Sequence, residues 1–282
     1  MSTWHTLVEA PALAARLGAP SLVVFDCRHD LAKPGYGRDA FASGRIPYAR
    51  FLHLDDDLSG PKTGRNGRHP LPSAEDFVAL MRSHGVSETT QVVAYDDAGG
   101  MYAARLWWML RWVGHEAVAV LDGGLPAARA AGLGETTAVP AVPALPPYPV
   151  SSWRLPSVGL EEVERLVKDP AWKVLDVRSR ERWRGEVEPI DPVPGRIPGT
   201  VNLPFAANLG PDGRFKPAAT LRAEYLALLA GVPPEHLVVH CGSGVTACHT
   251  LLALELAGLD GAALYVGSYG EWCRRGKPLG KG

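Results

Sequence analysis

The sequence has little net charge of either sign: 29 Lys and Arg face 30 Asp and Glu, a formal net charge of −1 over 282 residues. Its basic residues form no cluster either. Binding to nucleic acid needs a basic face, so a nucleic-acid partner is not expected. No apolar run reaches the length of a membrane span, which takes about 20 residues, so no membrane partner is expected. The opening stretch MSTWHTLVEAPALAARLG lacks a basic region followed by an apolar core. The expected location is therefore the cytoplasm. Cysteine is scarce, with only Cys27, Cys241, Cys248 and Cys273. A chain this long does not need disulfides to fold. Cys241 and Cys248 are spaced more widely than usual zinc ligands, and no second cysteine pair completes a site. The thiols are expected to be reduced, and neither a metal nor a cofactor is expected.

What the chain does have is a 46% hydrophobic, 21% charged composition typical of a globular protein, and it is written twice. LVVFDCRHD (22–30) is echoed by KVLDVRSR (173–180), and SGRIPYARFLHL (43–54) by PGRIPGTVNLPF (194–205). QVVAYDDAGGMYAARLWWML (91–110) is echoed by LVVHCGSGVTACHTLLAL (237–254), and AVAVLDGGLPAA (117–128) by GAALYVGSYGEW (261–272). Four matches in the same order point to a duplication. Between the halves lie prolines at 140, 143, 146, 147 and 149, which deny the backbone donors that a helix or central strand needs. The expected domains are 1–132 and 151–282, joined by an extended linker over 133–150. In each half, short Val/Ile/Leu runs alternate with helical periodicity. This predicts an α/β fold of two tandem domains, each a mainly parallel sheet with helices on both faces. SAEDFVALMRSHG and AATLRAEYLALLAG read as helices, with Ser73 as N-cap and Gly231 as C-cap.

One junction carries chemistry. In VVHCGSGVTACHTLLALELAG a strand ends at Cys241 and a helix begins a few residues later. Ligands of open α/β sheets bind at such carboxyl ends of strands. Gly242 and Gly244 permit a tight loop that turns successive N–H groups onto one point in front of a helix N-terminus. Such a loop is an anion cradle, and Cys241 is the group placed to occupy it. The cradle predicts a thiol pKa below the free value of about 8.5. The matching residue of the first half is Asp96, which cannot be a sulfur nucleophile. Only the second domain is therefore expected to do cysteine chemistry. Asp176 and Arg178 read as a structural pair near the end of a strand.

The motifs CGSGVTA (241–247), GRIPG (195–199), LDVR (175–178), YVGSYGEW (265–272), RLWWMLRWVGH (105–115) and LDGG (121–124) run over essentially the whole chain. Through them the chain resembles the two-domain sulfurtransferases of the rhodanese superfamily, and within it those that use 3-mercaptopyruvate. The resemblance implies two tandem rhodanese-like domains, with the first non-catalytic. It also implies that Cys241 takes a sulfane sulfur from a small-molecule donor and passes it as a persulfide to a thiol or to cyanide. The thiol acceptor is either a small thiol or a thioredoxin-like protein. Thiosulfate-using members carry Arg and Lys after the cysteine, whereas this loop reads Gly242-Ser243-Gly244. Without a cation there, a dianionic donor loses a direct partner, which favours 3-mercaptopyruvate. Gly242, Gly244, Val245 and Thr246 are the implied substrate-binding loop. The resemblance further implies a proton-handling set of Ser243, His69 and Asp55, with Asp56 and Asp57 as neighbouring alternatives to Asp55. Arg182 is the implied carboxylate-binding residue. The second arginine of that subfamily is absent, because Ile190 occupies its position, and Arg184 is the substitute considered.

Three other readings compete with this one. The first is a thiosulfate sulfurtransferase. The second is a non-catalytic rhodanese-like binding module. The third is a cysteine phosphatase, which needs an arginine six positions after the cysteine, where this chain has Ala247.

Overall fold

In the computed structural model, residues 3–142 and 155–282 are described. Positions 143–154, which include part of the expected linker and the start of the second half, lie outside them. The chain divides into two compact units. The first runs to Gly60, resumes at Pro72 and continues through the described linker residues, and includes Asp212–Arg214. The second comprises Pro61–Leu71, Leu155–Pro211 and Phe215–Gly282. The stretch Pro61–Leu71 therefore packs with the second unit although it lies in the first half of the sequence.

The first unit holds strands β1 (Leu7–Val8), β2 (Leu22–Asp26), β3 (Ala49–Phe51), β4 (Gln91–Tyr95) and β5 (Val118–Leu121). They form one sheet in the order β1-β5-β4-β2-β3, and every pairing is parallel. The second unit repeats the order with β6 (Ser157–Val158), β7 (Lys173–Asp176), β8 (Val201–Asn202), β9 (Leu237–His240) and β10 (Ala263–Tyr265). Its sheet reads β6-β10-β9-β7-β8, again parallel throughout. The connection β2 to β3 crosses the sheet in one direction, and β3 to β4 returns in the other. Right-handed crossovers of opposite direction place their helices on opposite faces. The strands are therefore buried on both sides, which explains why β4 runs Val92-Val93-Ala94 without polar alternation and is buried at every position.

The cores follow the strand period of two. On one face of the first sheet Val24, Val93, Tyr95, Ala119 and Leu121 pack with Leu13 and Leu125. In the second, Val174, Val238, Ala263 and Tyr265 pack with Leu160, Val163 and Trp272. The helix Ala74–Ser83 starts at Ser73, whose hydroxyl accepts the Asp76 N–H at 3.0 Å, as its sequence predicts. The helix Ala218–Leu229 ends through Ala230, in the left-handed region at φ 51°, one residue before the glycine expected to cap it.

The Asp-x-Arg pairs tie strand ends to turns. Arg178 holds Asp176 through its Nε and Nη2 atoms and donates from Nη2 to the Gly195 carbonyl at 2.8 Å. Arg28 does the same with Asp26 and the Gly44 carbonyl at 2.7 Å. Gly44 and Gly195 open the two Gly-Arg-Ile-Pro turns, so the repeated motif is a repeated buried tie. Removing one partner would strand an unpaired buried charge.

Candidate active site

Cys241 follows β9 directly, and the helix Thr246–Leu256 begins five residues later. The thiol is buried, only 2% of the residue being exposed. Its Sγ accepts the N–H of Gly244 at 3.1 Å and that of Ser243 at 3.4 Å. Burial pushes the thiol up, but the Thr246 hydroxyl, the Ser243 and Ala247 N–H groups and the Arg68 charge outweigh it and hold Cys241 below its ordinary value. Burial instead raises Cys27 and Cys273, each beside carboxylates. Cys248 turns its own Sγ to the Gly244 carbonyl at 3.2 Å.

The loop leaves no room for larger residues. Gly244 adopts φ +77°, and a Cβ there would stand 2.5 Å from the Val266 carbonyl oxygen. The loop is also tied down from the side. Ser268 accepts the Cys241 N–H at 3.1 Å, while the Tyr269 and Gly270 N–H groups donate to the Cys241 and Gly242 carbonyls at 3.0 and 2.9 Å. The sequence stretch YVGSYGEW is thus the buttress of the cysteine loop. Val245, also buried, is the last residue before the helix.

Ser243 and His69 come together: Oγ and Nδ1 are 2.8 Å apart, and both residues are buried. His69 belongs to Pro61–Leu71, and this contact lies within the second unit. Asp55 is in the first unit, where its Oδ2 lies 3.8 Å from His29 Nε2. Its neighbours are committed elsewhere. Asp57 accepts the His53 N–H at 2.7 Å, and the exposed Asp56 pairs with Arg38 at 2.7 Å. His29, His53 and Asp55 bring ligand-type atoms within 4.8 Å of one another. Both ring nitrogens of His53 are nevertheless engaged, Nε2 by the Pro34 carbonyl at 3.0 Å and Nδ1 by the Asp56 N–H at 3.3 Å.

A charged cluster flanks the loop. Buried Asp191 accepts from Arg68, from Arg274 at 3.1 Å and from Arg182 at 3.3 Å. Arg182 also grips Glu188 at 2.7 and 3.1 Å, and Arg178 reaches Glu188 at 3.1 Å. Burial would raise Glu188, but the Arg182 bond and the Asp191 N–H hold it below the usual carboxylate range. Arg68, Arg178, Arg182 and Arg274 thus oppose Asp176, Glu188 and Asp191, which leaves one positive charge in excess. Two of these cations point at the loop. A Cβ on Gly242 would lie 2.7 Å from Arg68 Nη2 and 3.4 Å from Arg182 Nη2. Ile190 is partly exposed and contributes only its N–H, to Glu188 at 3.1 Å. Arg184 is not among the arginines around Asp191; its Nη1 lies 3.6 Å from Glu186. Arg68, Asp191 and Arg274 carried no sequence signal beyond residue type, although Arg68 stands next to His69.

In the first unit Asp96 occupies the position matching Cys241, and its cradle is intact. Its Oδ1 accepts the N–H groups of Ala98 and Gly100 at 2.9 and 2.8 Å, and Oδ2 those of Tyr102 and Ala103 at 2.8 and 2.9 Å. Both halves thus build the same anion-holding turn, one filled by a carboxylate and one by a thiol.

The chain as a whole is similar to known proteins. The rhodanese-like domain description matches residues 9–131 and 159–275. A Pseudomonas aeruginosa protein named "Probable 3-mercaptopyruvate sulfurtransferase" is 45% identical over 272 residues, covering 94% of each chain. The mouse thiosulfate sulfurtransferase is 33% identical, covering 94% of this chain and 89% of its own. Among solved structures, 3-mercaptopyruvate sulfurtransferase from Leishmania major superposes with a TM-score of 0.83 at 28% identity, over 95% of this chain and 74% of that one.

Proposed function

The chain belongs to the rhodanese family of sulfurtransferases, and from that premise we propose that Cys241 carries sulfur from 3-mercaptopyruvate to a thiol or to cyanide. The thiolate Sγ attacks the donor's sulfur. A sulfur–sulfur bond forms, the donor's carbon–sulfur bond breaks, and the carbon leaves as the enolate of pyruvate. The proton of the donor's sulfhydryl balances the one the enolate needs, and Ser243 with His69 relays it. An acceptor thiolate then takes the outer sulfur and returns Cys241 to its thiolate form. The acceptor is a small thiol or a thioredoxin-like protein, and cyanide in that role gives thiocyanate. The first unit, with Asp96 in its cradle, is the non-catalytic half.

The observation that carries this reading is the Sγ of Cys241 held by two backbone N–H groups beside Ser243 and His69. Sulfite, the leaving group of thiosulfate, needs no proton, so a relay serves the carbon leaving group. Arg182 and Arg68 at Gly242 suit a single carboxylate, and Arg68 supplies the charge that Ile190 does not. One observation favours thiosulfate: Arg68 brings to the loop a charge that its glycines lack. The two donors are separated by kcat/KM measured side by side. A thiosulfate value equal to or above that for 3-mercaptopyruvate overturns the donor assignment.

Among the described residues no helix is long and apolar enough to cross a membrane. All four cysteines are free, which suits a reducing compartment such as the cytoplasm.

A further inference from the structure

The first unit carries a cleft of ≈640 Å³, near the amino ends of β2 and β3 and so away from the strand ends that hold Asp96. Leu22, Val23, Pro47 and Val139 wall it with apolar surface, and Tyr48 and Arg50 also line it. Arg50 is anomalous there. Its Nε and Nη1 atoms are sealed from solvent and have no hydrogen-bond partner among the described residues. Burial lowers its pKa, with no carboxylate acting against the shift. The undescribed residues, 1–2 and 143–154, contain no Asp or Glu and have no carboxylate side chain to offer. Arg50 as a whole is half-buried, and a partly desolvated cation without a counter-charge is costly to keep.

The internal repeat identifies the departure. Arg45-Ile46-Pro47-Tyr48-Ala49-Arg50 matches Arg196-Ile197-Pro198-Gly199-Thr200-Val201, and β3 and β8 hold the same place in their sheets. Gly199 takes φ +86°, a conformation natural to glycine, whereas Tyr48 is held at φ +67°. A bulky residue at positive φ is a genuine outlier, and such strain persists where the surrounding structure enforces it. Tyr48 and Arg50 thus depart from the repeat together and line one cleft. Gly85 makes space for the guanidinium, since a Cβ there would lie 2.8 Å from Nη1.

We propose that this cleft binds a small organic carboxylate, with its apolar body against Leu22, Val23, Pro47 and Val139 and its carboxylate on Arg50. Nη2, the guanidinium nitrogen not sealed in this way, can give a carboxylate one charge-assisted bond, and an apolar pocket with one oriented charge is a usual small-molecule site. The test is isothermal titration of the full chain with 3-phenylpropanoate as probe, alongside its neutral amide and inorganic phosphate. The wild-type chain should bind the carboxylate, while Arg50→Met should weaken binding about tenfold or more, the usual scale for losing a charge-assisted bond. Ala138→Trp, which narrows the wall, should weaken it too and covers the case in which Arg50→Met does not fold. Both variants should keep wild-type turnover with 3-mercaptopyruvate, and Arg182→Met should still bind the probe. Undiminished binding by Arg50→Met, binding lost instead in Arg182→Met, equal affinity for phosphate or for the amide, or no binding by the wild-type chain would each overturn the proposal.

Discussion

Cys241 is distinguished from the other cysteines by what surrounds its sulfur. Every cysteine is buried, and at Cys241 the N–H groups of two successive residues, Ser243 and Gly244, converge on the Sγ atom. Its lowered pKa means that alkylation by iodoacetamide should reach its plateau at lower pH than for a free thiol, and that Cys27 and Cys273, both pushed up, should react later. A pH–rate profile resolved by peptide mass checks this order. Linkage gives a matching sign. Thiolate stabilisation is full above the unfolded value of about 8.5 and is lost as pH falls through the lowered folded value. Arg68→Met should raise KM for 3-mercaptopyruvate, with a loss in kcat/KM of about 1.5–3 kcal/mol if Arg68 takes a charge-assisted bond to the carboxylate. Steady-state kinetics read this directly, and an unchanged KM would remove Arg68 from the substrate contacts. The strand-to-helix turn of small residues at Cys241 was legible in the sequence, whereas the role proposed for Ser243 came from the family resemblance. Arg68 was not legible, since an arginine in a loop gives no sign of where its guanidinium ends until Asp191 holds it.

The strands and helices that carry these residues follow local rules closely. The helix Thr246–Leu256 is buried from Ala247 through Leu254, as an all-round apolar sequence requires. Leu252→Ala should therefore cost about 2–5 kcal/mol of stability, read by denaturant unfolding. Gly244→Ala meets both a positive φ and the Val266 carbonyl oxygen, and strain of this kind costs about 1–3 kcal/mol. Its larger effect should be on turnover, because the displaced N–H is one of the two on Sγ. The parallel order of both sheets was readable from continuous Val/Ile/Leu runs alternating with helical periodicity. The helix Ala218–Leu229 exits through Ala230 at φ 51° and Gly231 at φ 90°, so the left-handed turn expected at the glycine begins one residue earlier.

At the scale of the whole chain, the duplication gives two sheets of one topology and two anion-holding turns, one closed by Asp96 and one by Cys241. What the sequence concealed is that Pro61–Leu71 packs with the second unit. Chain order assigns it to the first half, whereas its packing places His69 and Arg68 on the Cys241 loop. A fragment of residues 155–282 therefore lacks both residues, and its sulfur-transfer kcat/KM should fall far below that of the full chain even where circular dichroism reports it folded. The central claim is that sulfur rides on Cys241, and peptide-resolved mass spectrometry after one equivalent of 3-mercaptopyruvate tests it most directly. The account predicts one added sulfur atom on the Cys241 peptide, lost again on adding a thiol acceptor and absent in Cys241→Ser. An unmodified Cys241 after turnover, or the sulfur on Cys248 or Cys273, would contradict it.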